Sequence, residues 1–218
     1  LELADHVIAC SPFVKKTHSE QIPPEKISIA FWGVDSKVFT PPESRLIDFM
    51  SPNSPFRVLF VGDPVRKGLI YLLEACEMAA KSIKDLELWI VGADVNLENH
   101  GFLAKTFGMV PHAEMPGIMR QCHIIACPTL EDGIACSVQE GMASGLVPIA
   151  TEDPAEVFED GVSGIKVPYK DSGAIAQALI MLAQDSSIRR QMARAARALA
   201  EKQTWENFKN DFKEIIKR

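Results

Sequence analysis

The sequence has no cysteine pattern that would hold a metal ion or a disulfide framework. Its five cysteines, Cys10, Cys76, Cys122, Cys127 and Cys136, include no C-x-x-C pair, and two of them are spaced wrongly for a zinc knuckle. Most lie in apolar runs, which is typical of buried small hydrophobic residues in a reducing compartment. We therefore expect free thiols and a cytoplasmic location.

The chain also lacks an excess of positive charge and any long apolar run. Lys and Arg number 23 against 29 Asp and Glu, so the formal net charge is −6. Such a chain is a poor nucleic-acid binder, because neutralising phosphates needs clustered Lys and Arg. No apolar run approaches the length of a membrane span, and we expect no signal peptide within this sequence. A local basic site for a small phosphate ligand is still allowed.

Several catalytic signatures are missing. The sequence contains no G-x-x-x-x-G-K-[ST], no G-x-G-x-x-G, no H-E-x-x-H and no G-x-S-x-G, which disfavours a P-loop NTPase, an NAD dehydrogenase, a zinc site and a hydrolase elbow. It also contains no Asp-x-Asp, the usual two-acid metal clamp for a nucleotide diphosphate. We expect no bound metal and no cofactor.

What remains is the composition of an ordinary globular protein. The 218 residues are 47% hydrophobic and 24% charged, and a chain of this length buries most of its apolar surface without staples. It opens in mid-pattern at Leu1 without an initiator Met, so we expect a fragment of a longer protein.

Short apolar runs alternate with helical patterns. Apolar residues recur with a 3.6-residue period after Gly68, from Ile188 to Leu199 and from Trp205 to Ile215. Most of the short runs are continuously apolar, which predicts parallel strands covered on both faces. The predicted strands are 6–11, 26–31, 56–61, 86–91, 123–128, 146–151 and 164–168. This alternation predicts an α/β fold with a parallel sheet and helices on both of its faces.

In an open α/β sheet, ligands bind outside the carboxyl ends of the strands. The turn after strand 56–61 begins at Gly62 and carries Arg66 and Lys67 before a helix. A glycine-bearing turn with two cations at a helix N terminus can hold a phosphate. The alternative is an ordinary turn with a solvated Lys-Arg pair.

The loop after strand 123–128 carries Asp132 and Gly133, followed by an element that starts near 134–137 and includes Glu140. Two acids flanking exposed backbone amides can bind polyol hydroxyls while the amides bind phosphate. The alternative for Asp132 is charge complementarity with a helix N terminus, and the alternative for Glu140 is a surface position. His123 is expected to be a packed residue, and His112 a solvated loop residue.

Five segments in this order resemble the donor-binding half of a GT-B glycosyltransferase, and most closely family 4 of the retaining nucleotide-sugar glycosyltransferases. The segments are ADHVIACS (4–11), GVDSKVF (33–39), VLFVG with KGLIYLLEA (58–62 and 67–75), DGIACSVQEGMASGLVPI (132–149) and EVFEDGVSGIKVP (156–168). The resemblance implies a Rossmann-like domain, the C-terminal half of a GT-B fold, followed by C-terminal helices. Its implied ligand is a nucleoside diphosphate sugar, and the family retains anomeric configuration and generally needs no bound metal.

The resemblance also implies a role for each matching position. Lys67 would bind the donor diphosphate, and Asp132 would contact the hydroxyls of the transferred sugar. Glu140 would accept hydrogen bonds from the ribose hydroxyls, and Val110 would border the base. Backbone N–H groups for a phosphate or sugar would come from Gly133, Ile134 and Ala135.

Four departures from the family pattern accompany these matches. Asp63 stands at the usual Arg and would repel phosphate unless Arg66 supplies the lost charge. Asp132 replaces a Glu, and Ala135 replaces a Gly, which would restrict the backbone where it approaches the ligand. The usual Gly-Gly before Glu156 is missing.

The implied organisation includes a partner domain outside this sequence. Residues 1–40 would end an N-terminal acceptor-binding domain, 41–55 would be a Pro- and Ser-rich linker or surface loop, 56–204 the nucleotide-sugar-binding domain, and 205–218 a helix that packs on the missing domain. Without that domain we expect exposed apolar surface and either self-association or a missing covalent partner, with any peripheral membrane attachment residing in the missing part.

The main interpretation is therefore the donor-binding domain of a hexosyltransferase, inactive alone. A non-catalytic nucleotide-binding or scaffolding module of GT-B origin is the alternative, since the departures at Asp63 and Ala135 fit lost chemistry. A nucleotide-sugar epimerase is a third, disfavoured by the spacing of Asp132 and Glu140.

Overall fold

The structure, a computed structural model, describes residues 4–42, 54–95, 97, 100–152 and 154–217. In the N-terminal part, β1 (Val7–Ala9) and β2 (Ile27–Ile29) pair in parallel, and α1 (Pro12–His18) connects them. Most of the linker predicted at 41–55 lies outside the described residues.

The main sheet of the described chain has six strands, and every pairing in it is parallel. Its strands are β3 (Phe56–Val61), β4 (Leu86–Val91), β5 (Leu103–Thr106), β6 (Ile124–Cys127), β7 (Val147–Ala150) and β8 (Ile165–Lys166). Their spatial order is β5-β4-β3-β6-β7-β8. This is the doubly wound arrangement in which the strand order reverses between β3 and β6.

Helices follow the strands. They are α2 (Leu69–Ala79), α3 (Met115–Met119), α4 (Cys136–Ala143), α5 (Ser172–Gln184), α6 (Ser186–Ala200) and α7 (Trp205–Ile216). Short 3-10 helices occupy His112–Glu114 and Pro154–Val157.

Successive residues of each central strand enter two separate hydrophobic clusters. Phe60 packs in the cluster that contains residues of α2 and α5, whereas its neighbour Leu59 packs in the cluster that contains residues of α3 and α4. Because alternate side chains of a strand point to opposite faces, the two clusters are the two faces of one sheet. The predicted α/β class is confirmed. The strands are continuously apolar because both faces of the sheet are covered, as predicted.

The chain enters and leaves the main α/β unit at one place. Val34 and Thr204 form a parallel bridge, and the Val34 N–H donates to the Gln203 carbonyl at 2.8 Å. The helix that follows, α7, has no buried residue, and Trp205, Phe212 and Ile216 are exposed. The domain boundaries inferred from the sequence remain predictions.

Candidate functional site

The turn between β3 and α2 is shaped by Asp63 and by two glycines with positive φ. One Asp63 carboxylate oxygen, Oδ1, accepts hydrogen bonds from the N–H groups of Val65 at 3.1 Å and Arg66 at 2.7 Å. Gly62 has φ 125° and Gly68 has φ 67°, and a Cβ on Gly68 would lie 2.2 Å from the Pro128 carbonyl oxygen. Asp63 therefore builds the turn that presents Arg66, a function that its sequence position did not reveal.

The loop after β6 is joined to this turn by hydrogen bonds. The Leu130 N–H donates to the Arg66 carbonyl at 2.9 Å, and the Thr129 hydroxyl donates to the same carbonyl at 3.1 Å. The Arg66 side chain donates in return to the Glu131 carbonyl at 3.1 Å. The two loops flank the point where the strand order reverses. These hydrogen bonds therefore join the two sides of the crevice that the topology predicts.

Both cations of the turn meet Asp132 in this crevice. Lys67 Nζ and Arg66 Nη1 each lie 3.5 Å from Asp132 Oδ2. The Asp132 side chain is 11% exposed, and its Oδ2 has no hydrogen-bond partner in the described structure. Lys67 is also buried and donates to the Ser137 hydroxyl at 3.4 Å. The arrangement concentrates two positive charges around one buried carboxylate.

This geometry brings together three residues that were predicted from the sequence to belong to the site and one that was not. Lys67, Arg66 and Asp132 were expected to lie at one edge of the sheet, whereas Ser137 was not singled out. Ser137 is the second residue of α4, and its hydroxyl faces the crevice that Lys67 enters. Its place at the start of the helix that follows the predicted site loop was the signal available in the sequence.

The segment that leads into α4 is more buried than the sequence suggested. Ile134 and Ala135 are buried, and Ala135 precedes α4 with φ −94° and no side-chain cap at that N terminus. That φ is open to any residue, so Ala135 adopts it without backbone strain. A Cβ on Gly133 would lie 2.8 Å from a methyl carbon of Val14 in α1. The space beside Gly133 is thus filled by α1, which together with β1 and β2 forms the N-terminal unit.

The N-terminal unit makes a second contact with the main unit. Glu156 Oε2 accepts a hydrogen bond from the Phe13 N–H at 2.9 Å, and Ser11 caps the same helix through the Val14 N–H. A carboxylate near the N terminus of a helix is favourable for both hydrogen bonding and the helix dipole.

Glu140 lies on the second turn of α4 and pairs with His112. The two side chains are 2.8 Å apart between Oε1 and Nε2, and the Glu140 side chain is 16% exposed. Burial raises the pKa of Glu140, while the hydrogen bond from His112 and the charge of Lys67 oppose that rise. Glu140 therefore does not occupy an open surface position, which was the alternative interpretation.

His112 is exposed, as expected of a loop residue, but it is held in place. Its ring lies 5.3 Å from the ring of the buried Phe39, in addition to its bond with Glu140. Val110, two residues earlier, is half-buried against the core. The pairing could not be predicted from the sequence, because no local spacing joins His112 to a residue on α4.

The remaining histidine and cysteine expectations are confirmed. His123 is buried, accepts a hydrogen bond from the Arg57 N–H and stacks on Phe56, so it is a packed residue. Burial raises the pKa of the Cys127 thiol to about 11. None of the five cysteines, all of them among the described residues, forms a disulfide, and Cys136, the first residue of α4, is half-buried beside the site.

No three His, Cys, Asp or Glu side chains of the described residues are grouped as a metal ion would require. Within the described ranges, no helix has the length and apolar character needed to cross a bilayer.

Comparisons with known proteins agree on one family. The family described as "Glycosyl transferases group 1" matches residues 55–185. A phosphatidyl-myo-inositol mannosyltransferase of Mycolicibacterium smegmatis is 31% identical over 193 residues, which are 84% of this chain and 49% of the relative. A D-inositol 3-phosphate glycosyltransferase of Paenarthrobacter aurescens is 29% identical over 201 residues, again 84% of this chain and 49% of the relative. The chain spans about half the length of these curated relatives.

Solved structures show the same fold. The C-terminal domain of a glycosyl transferase group 1 family protein (LpcC) from Francisella tularensis has a TM-score of 0.67 at 25% identity, covering 78% of this chain and 97% of that one. Anabaena Alr3699/HepE, in a complex with UDP-glucose, has a TM-score of 0.83 at 19% identity, covering 98% of this chain and 64% of that one. The six-stranded parallel sheet is thus that of the C-terminal half of a GT-B fold.

Proposed function

Because the chain belongs to the glycosyl transferases group 1 family, we propose that it is the nucleotide-sugar donor-binding domain of a retaining family 4 glycosyltransferase. The parent enzyme transfers a hexose from a nucleoside diphosphate to an acceptor hydroxyl. The observation that carries the proposal is the convergence of Lys67 Nζ and Arg66 Nη1 on one point in the crevice between β3 and β6.

The diphosphate is the ligand that this convergence suits best. Lys67 supplies a buried point charge, and Arg66 supplies a second charge that offsets the loss of the family's usual Arg at Asp63. The N terminus of α4 lies beside Lys67 through Ser137 and carries no side-chain cap, so its N–H groups can bind anionic oxygens. Together these groups stabilise the departing diphosphate without a metal ion.

The rest of the donor follows α4 away from Lys67. Glu140 accepts hydrogen bonds from the ribose, and Val110 borders the base. Asp132 contacts the hydroxyls of the transferred sugar, and the backbone of Gly133, Ile134 and Ala135 lies between the phosphate and the sugar. Gly62 gives room to the Lys67 stem, since a Cβ there would lie 2.9 Å from Lys67 Cδ.

The parent enzyme needs an acceptor-binding domain that this sequence does not contain. Its relatives are about twice as long as the matched region, and the apolar face of α7 is exposed. We place the acceptor in that missing domain, which completes the active site, so the chain alone binds the donor and transfers nothing. The complex of Alr3699/HepE with UDP-glucose supports UDP as one nucleotide to test.

One observation favours the alternative of a non-catalytic module. Asp132 already offsets one of the two positive charges of Lys67 and Arg66. A site of this kind can persist as a structural ion cluster after donor binding is lost. Nucleotide affinity separates the two functions.

The test is calorimetric titration of the chain with UDP, GDP and ADP. We expect saturable binding of one nucleotide and its loss in Lys67→Met, which keeps the stem that fills the space beside Gly62 and removes the charge. Lys84→Met is the matched control, because Lys84 is exposed at the opposite end of the sheet. Thermal unfolding of both variants separates lost binding from lost folding. A folded native chain that binds none of the three nucleotides would favour the scaffold.

A further inference from the structure

Two histidine–carboxylate pairs in the described chain have opposite burial. In one pair, His100 is 19% exposed and Glu77 is 50% exposed, with 2.6 Å between Nδ1 and Oε1. In the other, His112 is 72% exposed and Glu140 is 16% exposed, with 2.8 Å between Nε2 and Oε1. The first pair is a covered imidazole beside an open carboxylate, which is ordinary surface packing. The second presents an open imidazole in front of a desolvated carboxylate.

The desolvated carboxylate has little other support. Among the described residues, His112 supplies the one hydrogen bond to the Glu140 side chain. Lys67 acts on it only through charge, and Cys136 lies on the same side of α4. An ionised carboxylate that is largely removed from water needs hydrogen-bond donors. The structure supplies one donor, and a ligand with hydroxyl groups would supply the others.

The imidazole is held rigidly enough to orient that carboxylate. The His112 ring packs against Phe39, whose side chain is 1% exposed. The Phe39 carbonyl in turn accepts a hydrogen bond from Arg197 at 2.7 Å. His112 therefore packs against a residue that the core holds in place.

We propose that His112 is the positioning residue of the ribose subsite, its Nε2–H holding one oxygen of Glu140 so that the carboxylate accepts hydrogen bonds from the two ribose hydroxyls. This rests on the proposed function. It adds that His112, through Glu140, makes the site select ribonucleotides over 2′-deoxyribonucleotides. His112 also links the ribose acceptor to the segment that contains Val110, so the base and the ribose are read by one unit.

The experiment compares affinities for UDP and 2′-deoxy-UDP, and for GDP and 2′-deoxy-GDP, by calorimetry. We expect the native chain to prefer the ribose form about tenfold, as the loss of one charged hydrogen bond implies. His112→Phe keeps a ring against Phe39 and removes the donor, and its preference should fall toward unity. His112→Gln restores a donor and should recover most of the preference.

His100→Phe is the matched control, since it also removes an imidazole that pairs with a carboxylate and stacks on a phenylalanine ring, here Phe102. Its ribose preference should equal that of the native chain. If His112→Phe fails to fold, the imidazole NMR signal of His112 in the native chain gives the readout, because UDP should shift it more than 2′-deoxy-UDP does.

The outcomes distinguish the two proposals. A nucleotide that binds with the same ribose preference in His112→Phe as in the native chain, or with equal shifts from both sugars, overturns the role of His112 alone. A native chain that binds none of the four nucleotides overturns the proposed function and the role of His112 together.

Discussion

Gly68 lies where the turn after β3 touches the turn after β6. Its φ is 67°, and an added Cβ would lie 2.2 Å from the carbonyl oxygen of Pro128. A left-handed backbone costs an ordinary residue about 1–2 kcal/mol, and the contact adds to that cost. We predict that Gly68→Ala lowers the free energy of unfolding by at least about 2 kcal/mol.

Chemical denaturation measures this loss, and Gly117→Ala is its control. Gly117 is exposed in α3, and an added Cβ there meets nothing within 4 Å. Alanine should leave stability unchanged or raise it by up to about 1 kcal/mol. Equal effects of the two substitutions would contradict the role assigned to Gly68.

Asp132 leads to a prediction of opposite sign to that for Lys67. Its carboxylate lies 3.5 Å from both cations, so a bound diphosphate has to compete with it. We predict that Asp132→Asn binds a bare nucleoside diphosphate about threefold to tenfold more tightly, since it removes a competing negative charge.

Calorimetry at low and high salt checks this prediction. The gain from Asp132→Asn should shrink as salt screens the cations. Glu131→Gln is the control: this neighbouring acid meets Arg66 through its backbone carbonyl, so its side-chain charge should matter less. Weaker nucleotide binding by Asp132→Asn would show that Asp132 assists the phosphate site instead of competing with it.

At the residue scale, the sequence predicted the charged residues of the site better than their partners. Lys67 and Asp132 could be located because each follows a strand, and the carboxyl ends of parallel strands share one edge. The bond between His112 and Glu140 could not be predicted, because it joins two segments that are distant in sequence. The turn-building role of Asp63 was also hidden, since a carboxylate in a phosphate site suggests only repulsion.

At the element scale, Arg197 joins three segments of chain. From α6, its guanidinium donates to the carbonyls of Ser36 at 2.9 Å and Phe39 at 2.7 Å, and also to the carbonyl of Ala143 at the end of α4. Removing a charged donor from several carbonyls leaves them unsatisfied. We predict that Arg197→Ala lowers the free energy of unfolding by about 3 kcal/mol.

Arg194→Ala on the same helix is the control, because Arg194 is exposed and its loss should change stability by less than about 0.5 kcal/mol. Urea denaturation measures both variants. If the two substitutions cost the same, the contacts of Arg197 contribute no more than helix propensity does.

The buried strands were predictable as elements, and their ends were less so. The strands predicted at 56–61 and 86–91 agree with β3 and β4, whereas β6, β7 and β8 are shorter than their apolar runs. The edge strand β5 has only a partly buried, alternating pattern, and it was not among the strands whose bounds were predicted. The short helix α1 has no buried residue and gave no periodic signal.

At the scale of the whole molecule, α7 is the surface that most needs a partner. The rings of Trp205, Phe208 and Phe212 form a row along this helix, and none of its residues is buried. Such a face is typical of an interaction surface. We predict that the isolated chain self-associates through it, and that Phe208→Ser with Phe212→Ser abolishes the association.

Sedimentation velocity over a range of concentrations tests this prediction. Asn210→Ser with Glu214→Ser, on the opposite side of the helix, should associate as the native chain does. A native chain that sediments as a monomer at every concentration would contradict self-association and leave a covalent partner as the remaining expectation.

The bridge between Val34 and Thr204 has a consequence for protein engineering. Because Val34 forms a bridge with Thr204 and is hydrogen-bonded to Gln203, the chain from 34 to 204 begins and ends at nearly the same point in space. A segment with adjacent ends can be spliced into a surface loop of an unrelated host without stretching either polypeptide. Residues 34–204 can therefore be inserted as one segment into a surface loop of another protein.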